Sequence, residues 1–341
     1  MSDVAVVILN WNGVEFLKKF LPNVVKYSAP HRVVLADNAS TDDSVSFVKE
    51  HFPAIEIIVN KSNGGFAKGY NDALKQIKAD YYILLNSDVE VSPNWIEPLL
   101  KAIQDPKVAG CQPKIRSFQQ QNWFEHAGAA GGFLDKDFYP FCRGRIFEQT
   151  EEDLGQYDNN EEIFWATGAC LMIKAEFYHS VGGLDEDFFA HMEEIDLCWR
   201  LKRIGYSFIA VGESKVFHVG GGTLNYMNPR KTYLNFRNSL FMIAKNYDGW
   251  LFGKIFRRLC LDGLAGIRFL TKGQISHIVA LVKAHIDFYK NLSKLKAKRK
   301  LFEQQNVIFF NKTGLFKQSI LWKRYVSKKR HFSELDKTDF Y

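Results

Sequence analysis

DYYILLNSDVEV, residues Asp80 to Val91, is the stretch from which the fold can be read. Tyr81 to Leu85 is a nearly continuous apolar run that passes directly into three small polar residues, Asn86, Ser87 and Asp88. A short apolar run bounded by turn residues is the pattern of a strand buried on both faces, as in a parallel sheet. In open α/β sheets, ligands sit beyond the carboxyl ends of such strands. A carboxylate there can hold a hard cation, and the cation a diphosphate. Ser92 and Pro93 follow closely, so Asp88 can equally be no more than the cap of a following helix. This stretch alone leaves both readings open.

Upstream, the same pattern recurs. Val4–Leu9 reads as a strand ended by Asn10-Trp11-Asn12-Gly13, and a helix is expected over about Val14 to Tyr27. Val33–Ala36 reads as a second strand. Ser40 or Thr41 is placed to cap a helix running to about Glu50. Ile55–Val59 is a third strand, and Gly69 to Ile77 a further helix before Tyr81. Alternating strands and helices of this length indicate βαβ units, and right-handed crossovers place all four strand ends on one edge. Each end carries polar residues: Asn10 and Asn12, Asp37 and Asn38, Asn60 and Asn63, Asn86 and Asp88. Turn chemistry favours such residues at strand ends but does not require them at every end of one edge, which points to a nucleotide site. The Gly64-Gly65 loop is a place where backbone N–H groups can approach phosphates.

At 341 residues, with 46% apolar and 24% charged content, the chain is globular and long enough for one large domain or two ordinary ones. Its charge is unevenly divided. Residues 1–229 carry 21 Lys+Arg and 31 Asp+Glu, whereas residues 230–341 carry 24 and 7. The five cysteines are widely spaced and form no CxxC pair, which excludes the usual zinc signature, and their odd number argues against a disulfide framework. The first residues lead into VAVVILNW with no basic segment before it, so a secretory signal is not expected and cytoplasmic residence is.

Between Cys111 and Trp165 the chain is aromatic and glycine-rich without regular periodicity, as a lid, an acceptor loop or simple cover would be. Trp165 can stack on a sugar face or fill core. Farther on, Asp185, Glu186, Asp187, Glu193, Glu194 and Asp196 gather at the start of a helix that ends near Gly205. Acidic residues suit a helix N-terminus, and Asp196–Arg200 is an i,i+4 pair. So many like charges still repel unless a cation or an acceptor uses them.

The motifs VVILNWNG, LADNASTDDS, NKSNGGFAKGYNDAL and ILLNSD, followed by TGACLMIKAEFYHSVGGLDEDFF, EEIDLCWRLKRIGY and VFHVGGGT, resemble those of a family 2 inverting glycosyltransferase with the GT-A fold. The resemblance covers roughly residues 4 to 224, and within the family it is nearest to bacterial rhamnosyltransferase-like enzymes of surface-polysaccharide assembly, which makes rhamnose a candidate sugar. It implies an α/β catalytic domain over 1–229, with nucleotide-sugar binding in 1–110 and acceptor binding and catalysis in 111–229. The donor would be a nucleotide sugar, the acceptor a glycan or lipid-linked glycan, and the cofactor Mg²⁺ or Mn²⁺. Asp37 would contact the base or ribose; Asn10, Asn12, Asn63, Gly64, Gly65, Asn86, Ser87 and Trp165 complete the candidate donor contacts. Asp88 and His218 would hold the metal, although Asn86-Ser87-Asp88 stands where a full Asp-x-Asp is usual. The family's base is the second acid of a Glu-Asp pair. Here that position is Glu194, with Glu193 and Asp196 in reserve. An inverting transfer needs one such base and a cation at the leaving diphosphate. Two other readings stay open: a non-catalytic nucleotide-sugar or glycan-binding scaffold, and a nucleotidyltransferase, whose basic glycine-rich first loop is missing from Asn10-Trp11-Asn12-Gly13.

Residues 230–341 change to helical spacing. One apolar stripe runs through Tyr233, Phe236, Leu240, Ile243, Ala244 and Tyr247, a second through Phe252, Ile255, Phe256 and Leu259, and a third through Ile275, Ile278, Val279, Val282, Ile286 and Tyr289. The longest uncharged stretch is ten residues, Gly273–Val282, too short to span a bilayer. Basic clusters at 294–300 and 323–330 accompany no nucleic-acid motif, so no nucleic-acid partner is expected. Stripes with basic clusters describe interfacial helices on an anionic membrane, which would place the protein peripherally on the inner face. The same helices can instead pack on the catalytic domain or on a second subunit.

Overall fold

The computed structural model describes residues 2–220, 228–305 and 309–341. Gly221, Gly222 and Thr223 of the VFHVGGGT motif lie outside the described residues. The first half alternates as its pattern requires: β1 (Val4–Asn10), α1 (Val14–Ser28), β2 (Arg32–Asp37), α2 (Ser44–His51), β3 (Glu56–Val59), α3 (Gly65–Leu74) and β4 (Tyr81–Asn86). In α1, Leu17, Phe20, Leu21 and Val24 recur at helical spacing and are the residues buried on the sheet. Two helix starts differ from expectation by more than one residue. The α3 helix begins four residues earlier, at Gly65. Neither Ser40 nor Thr41 caps α2, whose preceding residue is Asp43, because Ser40 is bound to Asp37 instead.

Strands β1 to β4 are mutually parallel in the order β3-β2-β1-β4. Asp88 caps no helix: β5 (Val89–Val91) follows it, and α4 (Glu97–Ile103) begins only later. The sheet grows through β6 (Val108–Ser117), β11 (Glu161–Ile163), β12 (Cys170–Lys174) and β13 (Ser207–His218), and β12 runs antiparallel to both β4 and β6. Nine strands are joined among the described residues. Two helices, α5 (Ala175–Ser180) and α6 (Glu193–Arg203), lie between β12 and β13.

The segment without periodicity folds into a second sheet from β7 (Gly132–Asp135), β8 (Pro140–Cys142), β9 (Arg145–Ile146) and β10 (Gln149–Thr150). Strands of two to four residues are too short to show an alternation, so their order comes from packing.

The basic half opens with α7 (Pro229–Asn246), which starts as a helix should, with Pro229 in the first turn and the Asn228 side chain accepting from the Arg230 N–H. Then come α8 (Leu251–Thr271), α9 (Ile275–Gln305), β14 (Leu315–Phe316) and α10 (Ile320–Tyr325). Leu240, Ile243, Ile255, Phe288 and Leu295 share one apolar cluster with Val7, Leu84 and Trp199 of residues 1–229. Strand β14 joins β7 in parallel, Leu315 opposite Leu134. The extension therefore packs on the core.

Candidate functional site

The connections from β1 to β2 and from β3 to β4 leave β1 on opposite sides, so the sheet's switch point lies between β1 and β4. Their ends meet there, with Leu9 opposite Asn86 and Asn10 opposite Asp37. Asn10 Nδ2 donates to Asp37 Oδ1 at 3.1 Å and to Ser40 Oγ at 3.1 Å. Ser40 donates its hydroxyl to Asp37 Oδ1 at 2.6 Å and its backbone N–H to Oδ2 at 2.9 Å. Asn12 Oδ1 accepts from the Thr41 N–H at 2.7 Å. Asp37 is 1% exposed, with both oxygens accepting bonds from the protein, so it helps to shape the two loops that carry Asn12 and Ser40. Asn10 Oδ1 is buried with no hydrogen-bond partner among the described residues.

The Gly64-Gly65 loop serves a different purpose from the one expected. The Gly65 N–H is taken by Asn63 Oδ1 and the Phe66 N–H by the Phe189 carbonyl, so neither is free to cradle a phosphate. Gly65 has φ +84°, and a Cβ there would stand 2.4 Å from the Phe189 oxygen. Glycine is needed so that this loop can meet the segment leading into α6.

At the other side of the switch point, β5 pairs antiparallel with β13, His218 opposite Val89. This register sets the Asp88 carboxylate 3.1 Å from His218 Nε2. The other ring nitrogen, Nδ1, lies 3.0 Å from Glu125 Oε2. Burial opposes a charge on this imidazole, but the Asp88 carboxylate and hydrogen bonds to Asp88 and Glu125 outweigh it and raise its pKa to about 10. Burial also opposes charge on Glu125, yet the hydrogen bond to His218 and that ring's charge bring it down to about 2.

Glu125 has no counterpart among the sequence expectations. It sits in the aromatic run Trp123-Phe124-Glu125-His126, 93 residues from its partner, and no spacing announces it.

Among the described residues no group of three or more His, Cys, Asp or Glu is disposed around an ion. Asp88 and His218 would nonetheless be within reach of one cation, since their side chains meet at 3.1 Å. Glu125 stands behind the ring as the orienting carboxylate that metal-bound histidines have. An ion at Nε2 would replace the proton that the two carboxylates otherwise hold there. Magnesium-type sites keep few protein ligands and take the rest from phosphates and water, so two donors fit such a cation.

The acids at α6 separate into two sets. Asp196, fully buried, accepts from Arg200 Nε at 2.9 Å, from Lys245 Nζ at 2.8 and 2.9 Å and from Asn246 Nδ2 at 2.7 Å. Asp185 pairs with Lys245 and Lys298, and Asp187 with Lys294 and Lys298. The lysines overcome the cost of burying Asp185 and hold it well below the usual carboxylate range. The cation expected for this cluster is thus supplied by the chain's own extension, and Asp196 is committed to structure, which corrects its place as a reserve base.

Glu193 and Glu194 are the opposite case. An oxygen of each, Oε2, is buried without a hydrogen-bond partner among the described residues. Burial raises Glu194 to about 7, against the lowering effect of backbone N–H groups at the helix start. Burial, then the neighbouring Glu194, pushes Glu193 well above its ordinary range.

A short bridge connects this helix start with the β4 edge. The Asn86 N–H donates to the Ala169 carbonyl at 3.0 Å, and a Cβ built on Gly168 would lie 3.9 Å from Glu194 Cβ. Ser87 closes the edge near Gly13, where an added Cβ would come within 3.4 Å of the Ser87 Oγ.

Trp165 is not at this cleft. It is 4% exposed, donates to the Phe133 carbonyl at 3.0 Å and lies so close under Gly132 that a Cβ there would overlap its ring. The sugar-stacking expectation is corrected to core filling.

The segment just before Glu193 is unusual. Phe189, His191 and Met192 all have positive φ, at 64°, 70° and 74°, which costs on the order of 1 kcal/mol or more per residue. Helix α7 over-determines it: Asn238 Nδ2 reaches the carbonyls of Phe188, Ala190 and His191 at 2.7–2.9 Å, and Arg237 reaches those of Asp187 and Phe188. Sequence reasoning assigned these two residues no role.

Residues 5–180 match the model of the family described as glycosyl transferase family 2, which is more than half of the chain. The chain belongs to that family. This transferase is 25% identical over 276 residues to the N-acetylglucosaminyl-diphospho-decaprenol L-rhamnosyltransferase of Mycobacterium tuberculosis, covering 73% of this chain and 87% of the relative. It is 22% identical to the low-salt glycan biosynthesis hexosyltransferase Agl10 of Haloferax volcanii, over 83% and 89% of the two chains. Among solved structures, GalNAc-T7 with UDP, GalNAc and Mn²⁺ superposes with a TM-score of 0.62 at 15% identity, over 96% of this chain and 57% of that one. The mannosyltransferase PcManGT from Pyrobaculum calidifontis, in complex with GDP-Man and Mn²⁺, gives 0.52 at 14% identity, over 89% and 88%. The fold is GT-A, with a C-terminal helical region.

Proposed function

We propose that this family 2 glycosyltransferase moves a sugar, with rhamnose a candidate, from a nucleoside diphosphate donor onto a glycan or lipid-linked glycan, with inversion, and that Glu194 is the base. One observation carries the assignment: of the acids around α6, Glu194 combines an oxygen unpartnered among the described residues, a pKa raised to about 7 and a position beside the β4 edge. A base titrating near the working pH is best placed to accept a proton as a hydroxyl attacks. The acceptor oxygen forms its bond to the anomeric carbon as its proton passes to Glu194. The bond from that carbon to the diphosphate breaks, and its electron pair leaves with the nucleotide. Asp88 and His218 would hold a divalent cation, which when bound neutralises charge on the departing diphosphate. Asn10, Asn12, Asn86 and Ser87 line the edge where the donor would lie. Burial and the neighbouring Glu194 push Glu193 well above the ordinary carboxylate range, whereas Glu194 is raised to about 7.

Purified protein incubated with a panel of nucleotide sugars should release nucleoside diphosphate from one donor class, and excess chelator should stop the release. Full activity in chelator would remove the metal assignment. Donor binding without release under every condition would favour the scaffold reading.

A further inference from the structure

The second and third apolar stripes do not end up in the core as a whole. On α8, Ile255, Arg258 and Asp262 turn inward, while Trp250, just ahead of the helix at 76% exposed, leads into Phe252 at 72%, Phe256, Leu264, Ile267 and Leu270 on the outer side. At 100° per residue, the helix residues in this outer set fall within an arc of about 120°. On α9, Ala280, Leu281, Ala284 and Phe288 are buried, while Ile275, Val279, Val282, Ile286 and Tyr289 are exposed along the opposite side. The two helices pack on each other as a hairpin, with Phe269 stacked on His277 near the turn. Two adjoining helices thus present long apolar stripes to solvent, far more than the scattered apolar residues of an ordinary surface.

The charges that these two helices carry beside the stripes are mostly basic, with Arg268 4.0 Å from the exposed Glu148. From Gly249 to Lys290 there are seven Lys and Arg and only two acids. Of the acids, Asp262 is buried against Arg258 and His285, and Asp287 accepts from Tyr233. Arg268, Lys272, Lys283 and Lys290 stand exposed along the edges. No helix among the described residues is long and apolar enough to cross a membrane. A second copy is a poor occupant, because a twofold interface would set this patch, basic edges included, against itself.

We propose that the α8–α9 hairpin is the surface by which this protein docks on an anionic lipid bilayer, its apolar stripes entering the interface and its basic edges meeting the headgroups. Amphipathic helices of this composition lie in the interface plane and bind more strongly to anionic lipid. The expected basic clusters play the smaller part, since Lys294 and Lys298 are engaged by Asp185 and Asp187. The proposal stands independently of the donor and base assignments, so its failure would leave them untouched.

Cys260 lies within the outer arc of α8 and is the one exposed cysteine of the five. The full chain, labelled there with a polarity-sensitive fluorophore, should co-sediment with vesicles of phosphatidylglycerol and phosphatidylcholine in equal parts, and its emission should shift to the blue. Raised salt should weaken binding. Phe256→Glu with Val279→Glu, both at exposed positions and so compatible with the fold, should raise the lipid needed for half-binding by at least about tenfold, with an unchanged circular dichroism spectrum. Absence of co-sedimentation and of the blue shift would overturn the proposal. So would equal binding to pure phosphatidylcholine, binding unaffected by the double substitution, or a dimer in analytical ultracentrifugation that the double substitution dissociates.

Discussion

The two faces of α6 carry carboxylates of opposite character. Asp196 faces α7, where Lys245 and Asn246 satisfy it together with Arg200 of its own helix. Glu194, two residues earlier on the same helix, lies toward Gly168 and the β4 edge with a buried oxygen that no group among the described residues satisfies. A buried acid with charged partners contributes to structure, and removing it leaves those partners uncompensated. A buried acid without them is destabilising as an anion, which is why its proton is held to a higher pH and why it is available for chemistry. Proximity in sequence says nothing about which of the two an acid will be.

The sharpest way to break this comparison is Glu194→Gln. Turnover should fall by about two to four orders of magnitude with donor affinity unchanged, measured by single-turnover kinetics and donor titration. In the unsubstituted enzyme the rate should rise with pH through about 7, as Glu194 loses its proton. Stability should move the other way. The raised pKa means that the neutral form favours the fold, an advantage complete below the ordinary value of 4.5 and lost as pH rises through about 7. Above neutral pH the Gln variant should therefore unfold at higher denaturant, by about 1–3 kcal/mol. A variant that is inactive and also less stable would place Glu194 with the structural acids.

Asp196→Ala should show the reverse profile. Lys245 would keep only Asp185, and the loss of a partner from a buried network should cost about 3–5 kcal/mol in chemical denaturation. Turnover per folded molecule should stay within about tenfold at low temperature. Loss of turnover by orders of magnitude in well-folded protein would return Asp196 to the list of bases.

The smallest expected effect tests how the faces are held apart. Asn238→Ala frees the carbonyls of Phe188, Ala190 and His191 in the positive-φ segment before Glu193. Misplacing a base by a fraction of an ångström lowers turnover by about tenfold to a hundredfold. The donor KM should move much less. Equal changes in both constants would indicate that the segment is a donor contact instead.

Helix α6 also shows how far the sequence could be read. Its start at the acids, its end before Gly205 and the Asp196–Arg200 pair were all legible, because each depends on residues within one or two turns. The lysines that satisfy Asp185, Asp187 and Asp196 were not, since they lie 49 to 113 residues away on helices whose orientation no periodicity encodes. Glu125 was hidden for the same reason, and Trp165 because a tryptophan beside a glycine reads alike in a cleft and in a core.

By itself the sequence determined the parallel β1–β4 layer, the polar residues along its carboxyl edge, the family to which the chain belongs and the helical character of its basic half. Those are properties of local patterning: apolar runs of strand length, turn residues at fixed offsets and a period near 3.6. Only the tertiary structure decided which acids are spent on lysines and which are left free, that a glutamate stands behind His218, and which sides of α8 and α9 remain in solvent. Ion pairing and burial depend on distances across the folded chain. An amphipathic stripe shows that a helix has an apolar side, and only the neighbours it meets decide whether that side is covered.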